Sequence, residues 1–589
     1  MSSYEQPLYD CQTPSLDSTE QSVVESIDQD RMWDSVEKFS SLTRISGTGG
    51  ERKAAEHLTT VLSDYAVSHT VHEPELYLST PVSATVTATD RTECFKSAKT
   101  VAFSDNDSVS GEVIRLHADE EGDSVESLLD HSLNIDDVAV EDKVVVAESL
   151  IPIAEIRALA ARGAAAFIAI HPHDREPHEG IISPVWGGAP TFEEKNEIPE
   201  IIVANISGDD GDKLDALIEN NPSLSLTVST TVDTRWVRCP LIEAEITPTQ
   251  TATDEFVLLH GHYDSWHVGV TDNATGDAAL LEAAIALSAH ADQLTRTVRV
   301  CWWPGHSTGR YAGSTWYADT FAQDLHENCL AHVNVDSPGV TDAVEFTSRV
   351  KWMTAAAPVA IGTITDVTGK QTQTRRPSRA GDYSFNNLGI AGLSLQSSIE
   401  SAVREKRGYH LVGGSGGHAD AWHLTTDTLE KADPATLKRD TAVYTIATYR
   451  LASSTECPLD YRLTITEHQQ TLARLASGAA ILRLEKQHEK LTEIYEQLSK
   501  SVTEIYERGD HSFENLHSLA RVLTRVNYVT DGTFEQDPAV GRPPLPALAS
   551  IEQLPRDEDQ KRFLACGARR SYNEIIYELQ SVLTQLSAT

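Results

Sequence analysis

The stretch HGHYDSWHVGVTDNATGDAALLEAA, residues 260–284, joins the end of an apolar run to the start of a helix. EFVLLHGH reads as a buried strand. GDAALLEAAIALSAH reads as a helix with Ala279, Leu280, Ala283, Ala284 and Leu287 on one side. The seam between them holds His262, Asp264 and Asp272.

The same strand, loop, helix pattern continues outward. LIEAEI, TVRVCWW (297–303), CLAHVNVD and GIAGLSLQSS (389–398) read as strands, and STWYADTFAQDL as a helix. Apolar strands alternating with helices predict an α/β fold whose mixed sheet is sandwiched by helices. Upstream, residues 18–75 are largely helical, broken at Gly47, Gly49 and Gly50, with Glu51 opening the next helix. Residues 78–235 carry their own short strands: VSATVTATD, KVVVAE, AAAFIAIHP, IPEIIVANIS and LSLTVSTTVDTRW. They predict a small mixed domain inserted into the larger one. The expected division is therefore 1–77 with 236–455, then 78–235, then a helical C-terminal domain over 456–589. In that last part Leu484, Leu491, Ile494, Leu498, Val502 and Ile505 recur near a period of 3.5. Packing inside one chain is one reading of this stripe, and a homodimer through the C-terminal helices is the other.

The 589 residues include 48 basic and 88 acidic side chains, a formal net charge of −40. The acidic residues are dispersed along the chain, so they do not form an interaction tail. So large a net charge repels itself unless salt screens it, and the screening length falls to roughly 3 Å at 1 M. A halophilic protein of a salt-rich cytoplasm is expected. Nucleic acid and anionic membranes are excluded as partners by charge. No apolar run reaches the roughly 18 residues of a membrane helix. MSSYEQPLYDCQTPS has no basic segment leading into an apolar core, which predicts no secretory signal. The seven cysteines are scattered, never in CxxC spacing, and read as reduced thiols.

Several polar clusters share one topological position. His262 and Asp264 follow the strand EFVLLHG, and Asp272 lies before the next helix. His306 and Ser307 follow TVRVCWW, and Asp336 ends AHVNV. GGHADAWHLTTDT (416–428) follows GLSLQSS and brings His418, Asp420, His423 and Asp427. Loops beyond the carboxyl ends of strands are where α/β sheets bind ligands. Imidazole nitrogen and carboxylate oxygen suit a divalent cation such as Zn²⁺, with Mn²⁺ or Co²⁺ as further options. Asp264 is expected to hold the second ring nitrogen of His262. Asp272 is expected to bridge two ions.

HYDSWHVGVTDNATGDAALLEAA resembles the zinc-site signature of the co-catalytic zinc aminopeptidase family that includes glutamate carboxypeptidase and the transferrin receptor. GSTWYAD (313–319), HVNVDSPG (332–339) and AWHLTTDTLEKAD resemble it too. The resemblance implies a phosphorylase/hydrolase-like aminopeptidase core, an inserted protease-associated domain and a helical C-terminal domain. It implies one ion on His262, Asp272 and Asp336 and a second on Asp272, His423 and a glutamate. The family places two adjacent glutamates after the strand that ends here at Trp303: a general base, then a ligand. This sequence reads WWPGHSTGRYAGS, with His306 and Ser307 at those positions. His306 is thus a candidate base, since neutral imidazole titrates near neutrality, and equally a candidate metal ligand. His267, His418 and Asp420 are further candidates for the base.

Two functions follow. One is a metal-dependent peptidase or amidohydrolase, an exopeptidase-type hydrolase of aminopeptidase or carboxypeptidase kind. It would cleave an amide bond of a peptide or N-acyl amino acid with a metal-activated water. The other is a family member without peptidase activity that serves binding or assembly. Arg375, Arg376 and Arg379 could receive a substrate carboxylate or simply neutralise local acid. His171 and His173 read as loop histidines. The glycines of LVGGSGGHAD lack the Lys-Ser/Thr of a phosphate loop and read as a flexible rim.

Overall fold

The computed structural model describes residues 15–587 except 90–93, 117–132, 134, 136–137, 172–175, 188–189, 251–252, 379, 408–413 and 419. Sixteen strands are named in chain order: β1 Ser68–His72, β2 Glu75–Ala88, β3 Lys99–Thr100, β4 Ser108–Leu116, β5 Val144–Glu148, β6 Ala166–Ile170, β7 Ile202–Ile206, β8 Ser225–Arg238, β9 Leu241–Ile246, β10 Phe256–His262, β11 Thr297–Trp303, β12 Cys329–Asn334, β13 Ala343–Glu345, β14 Val350–Trp352, β15 Ala391–Leu395 and β16 Ser398–Ile399.

Seven of them form the main sheet in the order β1-β9-β11-β10-β12-β15-β14. Its centre, β11-β10-β12-β15, is parallel, and its flanks are antiparallel. This is the mixed α/β sheet expected from the sequence. Every residue of β10, β12 and β15 is buried, as both faces of the sheet are covered. Helix Thr275–Ala289 packs on it and is buried along nearly its whole length. That explains why its sequence is apolar on more than one side.

The strand order reverses at β10, which pairs with β11 on one side and β12 on the other. The loops after these strands therefore diverge above β10 and leave a crevice at its carboxyl end. His262 is the last residue of β10 and stands at that crevice.

A second seven-stranded sheet, β2-β8-β4-β5-β6-β7-β3, uses only strands lying between residues 75 and 238. Residues 82–88 of VSATVTATD, read as a short strand, are the far half of the longer β2. The β2–β8 pairing shifts register between Pro81 and Ser83. Proline has no N–H to donate there. β2 and β8 form a long antiparallel ribbon whose near end sits beside the main sheet.

Beyond residue 460 come four long helices: Tyr461–Ile481, Glu485–Arg508, Phe513–Tyr528 and Glu558–Leu586. Leu491, Ile494, Leu498, Val502 and Ile505 are buried in the same apolar cluster as the main sheet. The stripe read from the sequence is therefore consumed within the chain. Among the described residues no helix is long and apolar enough to cross a membrane, and the six described cysteines are free thiols.

Candidate metal centre

Residues 263–274, between β10 and the next helix, are pinned from three sides. Arg44 is fully buried and donates from Nε to the Tyr263 carbonyl (2.9 Å) and from its terminal nitrogens to Val268 (2.8 Å) and Gly269 (3.0 Å). Asn273 Nδ2 donates to the carbonyls of His262 (3.0 Å) and Val335 (3.1 Å). Its Oδ1 accepts from the Ser337 backbone (2.9 Å). One amide side chain thus ties the end of β10 to the loop after β12. Gly276 permits this, because a Cβ there would lie 2.2 Å from Asn273 Oδ1. The Asp427 carboxylate accepts the backbone N–H groups of Thr271 and Asp272 (2.9 and 3.0 Å) and fixes the third side.

These restraints aim three oxygen and nitrogen ligands at one point. One ligand atom each from His262, Asp272 and Asp336 lies within 4.8 Å of the others, and this is the only such group among the described residues. His262 Nε2 is 3.1 Å from Asp272 Oδ1 and, although buried, has no hydrogen-bond partner. Its Nδ1 donates to the Asp264 backbone carbonyl (3.0 Å), so in the neutral ring Nε2 holds the lone pair. Without a cation between them, burial is overcome by the carboxylates of Asp264 and Asp272, which push the pKa of His262 well up. A buried imidazole lone pair facing two carboxylates is a donor set that fits a divalent cation. His423 reaches the other oxygen of Asp272, with Nε2 to Oδ2 at 3.4 Å. Burial opposes the charge on Asp272, but the flanking imidazoles of His262 and His423 outweigh it and hold the carboxyl well below the usual range.

Asp264 acts differently from the expectation. Its carbonyl, not its carboxylate, bonds His262, and the carboxylate stands 3.7 Å from that ring. The carboxylate instead accepts the backbone N–H groups of His306 (3.0 Å) and Ser307 (2.9 Å). It therefore places the loop after β11.

His306 stacks on His262 with ring centroids 3.7 Å apart. It is outside the three-ligand group. Its Nδ1 is 2.9 Å from Asp382 Oδ2, and Asp382 Oδ1 accepts the Ser314 hydroxyl at 2.8 Å. Burial works against the Asp382 charge, yet the His306 imidazole draws its pKa down to about 2. An ionised carboxylate only accepts, so Nδ1 carries a proton, and in the neutral ring Nε2 holds the lone pair. Asp382 escaped the sequence reading. It lies 76 residues beyond His306 in the loop before β15, with only a preceding glycine to mark it.

The other candidates are engaged elsewhere. His267 Nε2 bonds Glu179 (2.9 Å), His418 Nε2 bonds the Thr341 carbonyl (2.9 Å), and Asp420 pairs with Lys431 (2.8 Å). Arg376 binds the carbonyl of Arg542 and the Glu467 carboxylate and covers the Tyr528 ring, so it joins the main sheet to the C-terminal helices. Arg379 and His173 lie outside the described residues. His171 lines the cavity that holds the site, together with His178, Ile151, Lys351, His306 and His423. The inserted sheet thus forms one wall, and Trp266 of the opening motif packs into its apolar cluster.

Residues 242–446 match Peptidase family M28. The chain is 26% identical over 253 residues to the probable glutamate carboxypeptidase VP8 of Zea mays, covering 40% of this chain and 34% of the relative. It is 25% identical over 210 residues to leupeptin-inactivating enzyme 1 of Streptomyces exfoliatus, covering 34% and 47%. The matched part thus spans a third to a half of these curated relatives. Among solved structures, an aminopeptidase from Aneurinibacillus sp. strain AM-1 aligns with a TM-score of 0.55 at 18% identity, over 74% of this chain and 97% of its own. The zinc aminopeptidase BSAP of Bacillus subtilis gives 0.54 at 15%, over 74% and 98%. At these identities the likeness establishes the fold. His262, Asp272, Asp336 and His423 all fall inside the segment that matches Peptidase family M28.

Proposed function

We propose that the chain is a metal-dependent exopeptidase or amidohydrolase acting on peptides or N-acyl amino acids. The observation that carries this reading is the convergence of His262, Asp272 and Asp336 within 4.8 Å. His262, Asp272 and Asp336 would hold one divalent cation, and His423 with Asp272 would serve a second. Zinc is the favoured ion, with Mn²⁺ or Co²⁺ as substitutes. When bound, such an ion supplies Lewis-acid chemistry, polarising the scissile carbonyl and making water acidic near neutral pH.

The residues of the chain supply the rest. His306 Nε2 has the lone pair to accept the proton of the attacking water and pass it to the leaving amine. Asp382 fixes that tautomer and stabilises the imidazolium while the proton resides there. Asp264 sets the height of His306 through two backbone bonds. His306 is assigned as base and not as ligand because it stands outside the three-ligand group.

Turnover of amino-acid anilides, dipeptides and N-acyl amino acids, with and without chelator, tests this. Chelator-sensitive release of the amine is expected. A fully metallated protein that cleaves none of them would favour the second reading, a binding or assembly protein. That reading is supported by His306-Ser307, which stand where the resemblance implies two glutamates.

We also read the net charge of −40 as adaptation to a salt-rich cytoplasm. Loss of circular dichroism in dilute buffer, reversed by molar salt, is expected. Pairing of two copies through the helical region would have to use its exposed face, where Phe563 and Tyr577 stand out. Sedimentation of the full chain tests it.

A further inference from the structure

His423 is the one candidate ligand whose backbone has a positive φ, at 57°. A non-glycine residue holds that conformation only when its surroundings impose it. The surroundings here belong to the inserted sheet's part of the chain. His423 Nδ1 donates to the Glu179 carbonyl (3.2 Å), and the Glu179 N–H donates back to the His423 carbonyl (3.3 Å). The side chain of Glu179 is buried, and its Oε1 is held by two partners. Lys99 of β3 pairs with it at 2.7 Å, and His267 bonds it at 2.9 Å. Lys99 also pairs with Glu176 (2.6 Å), which accepts the Thr425 hydroxyl (2.6 Å). The segment around 176–179 therefore grips residues 423–425 at two points.

The clasp has a chemical consequence. The bond to the Glu179 carbonyl keeps the proton on His423 Nδ1 and turns Nε2, 3.4 Å from Asp272, toward the centre.

We propose that Glu179 is the positioning residue for His423, so that the inserted part of the chain sets how tightly the His423 side of the centre holds a divalent cation. This rests on the metal reading above. It adds that the affinity is governed from a separate sheet through the Lys99–Glu179–His267 anchor.

The test is titration of the metal-stripped full chain with Co²⁺ in molar salt, followed by its visible ligand-field absorption. The variant His423→Ala defines the His423-dependent part of the uptake. Glu179→Ala keeps the carbonyl but removes the side chain that anchors it. The His423-dependent part then weakens by up to about tenfold, the lower end of the cost of losing an outer partner of a ligand, while the His262-dependent part is unchanged. Lys99→Met, a milder change at a half-exposed position, moves it in the same direction, and Lys99→Arg restores it. Equal Co²⁺ binding and equal spectra in the unchanged protein, Glu179→Ala and Lys99→Met would overturn the proposal. So would a His423→Ala variant that binds as the unchanged protein does. An unchanged protein that takes up no Co²⁺ would instead remove the metal reading itself.

Discussion

The segment after β10, residues 263–274, and the segment around His423 both end on Asp272, yet different parts of the chain hold them. The first is fixed mostly by the main sheet's own layers, where Arg44, Asn273 and Asp427 bind its carbonyls and N–H groups, and only Trp266 and His267 within it reach the inserted part. The second leans on the inserted sheet through Glu179. One side of the centre is thus built by the fold that carries it, and the other by a neighbour. The first should survive disturbance of the inserted sheet, and the second should not.

The loop after β11 belongs to the first kind, because Asp264 holds its backbone. The largest effect expected from breaking that side is on rate. His306→Ala should keep its metal and lose about 10²- to 10⁴-fold in kcat, the range of a positioned proton carrier. Metal content and turnover measured on the same sample separate the two roles. Lost metal would make His306 a ligand.

Next in size is the support beneath residues 263–274. Arg44 is fully buried and 3.8 Å from the equally buried Asp277. Burial already lifts the Asp277 pKa to about 8, so Arg44→Met costs mainly the bonds to the Tyr263, Val268 and Gly269 carbonyls, about 1–3 kcal/mol for each buried acceptor left unsatisfied. Urea unfolding in molar salt reads this loss. A change below 1 kcal/mol would mean that the loop is held without Arg44.

A smaller effect, remote from both segments, provides the control. His468 is buried in the C-terminal helices against Tyr495, and burial pushes its pKa down to about 4. The unfolded chain takes up this proton near pH 6.5, the folded chain only near 4. Its stabilising contribution is therefore complete above pH 6.5 and declines as pH falls toward 4, by about 3 kcal/mol in all. His468→Phe should flatten that part of the stability–pH curve and leave metal uptake as it was. An unaltered slope would contradict the burial argument.

The contrast between the two segments also explains what could be read in advance. His262, Asp264 and Asp272 lie within eleven consecutive residues, so a local string discloses them, and Asp336 and His423 close similar strings. The strands of the main sheet were legible for a like reason, since burial on both faces leaves continuous apolar runs. Residues acting across the chain leave no such trace. Arg44 bonds Tyr263 across 219 positions, and Glu179 bonds His423 across 244. Asp382 is a single acid in a loop. Their roles arise from packing, and each alone looks like any surface charge. The helical stripe around Leu498 was legible as a stripe, but only the fold shows that its partner lies in the same chain.

The central claim is that His262, Asp272 and Asp336 exist to grip a divalent cation. Elemental analysis of the full chain purified in molar salt, beside Asp272→Ala, tests it most directly. At least one equivalent of Zn²⁺, Mn²⁺ or Co²⁺ in the unchanged protein, lost from the variant, is the predicted result. Less than half an equivalent in the unchanged protein, or equal metal in both, would contradict it.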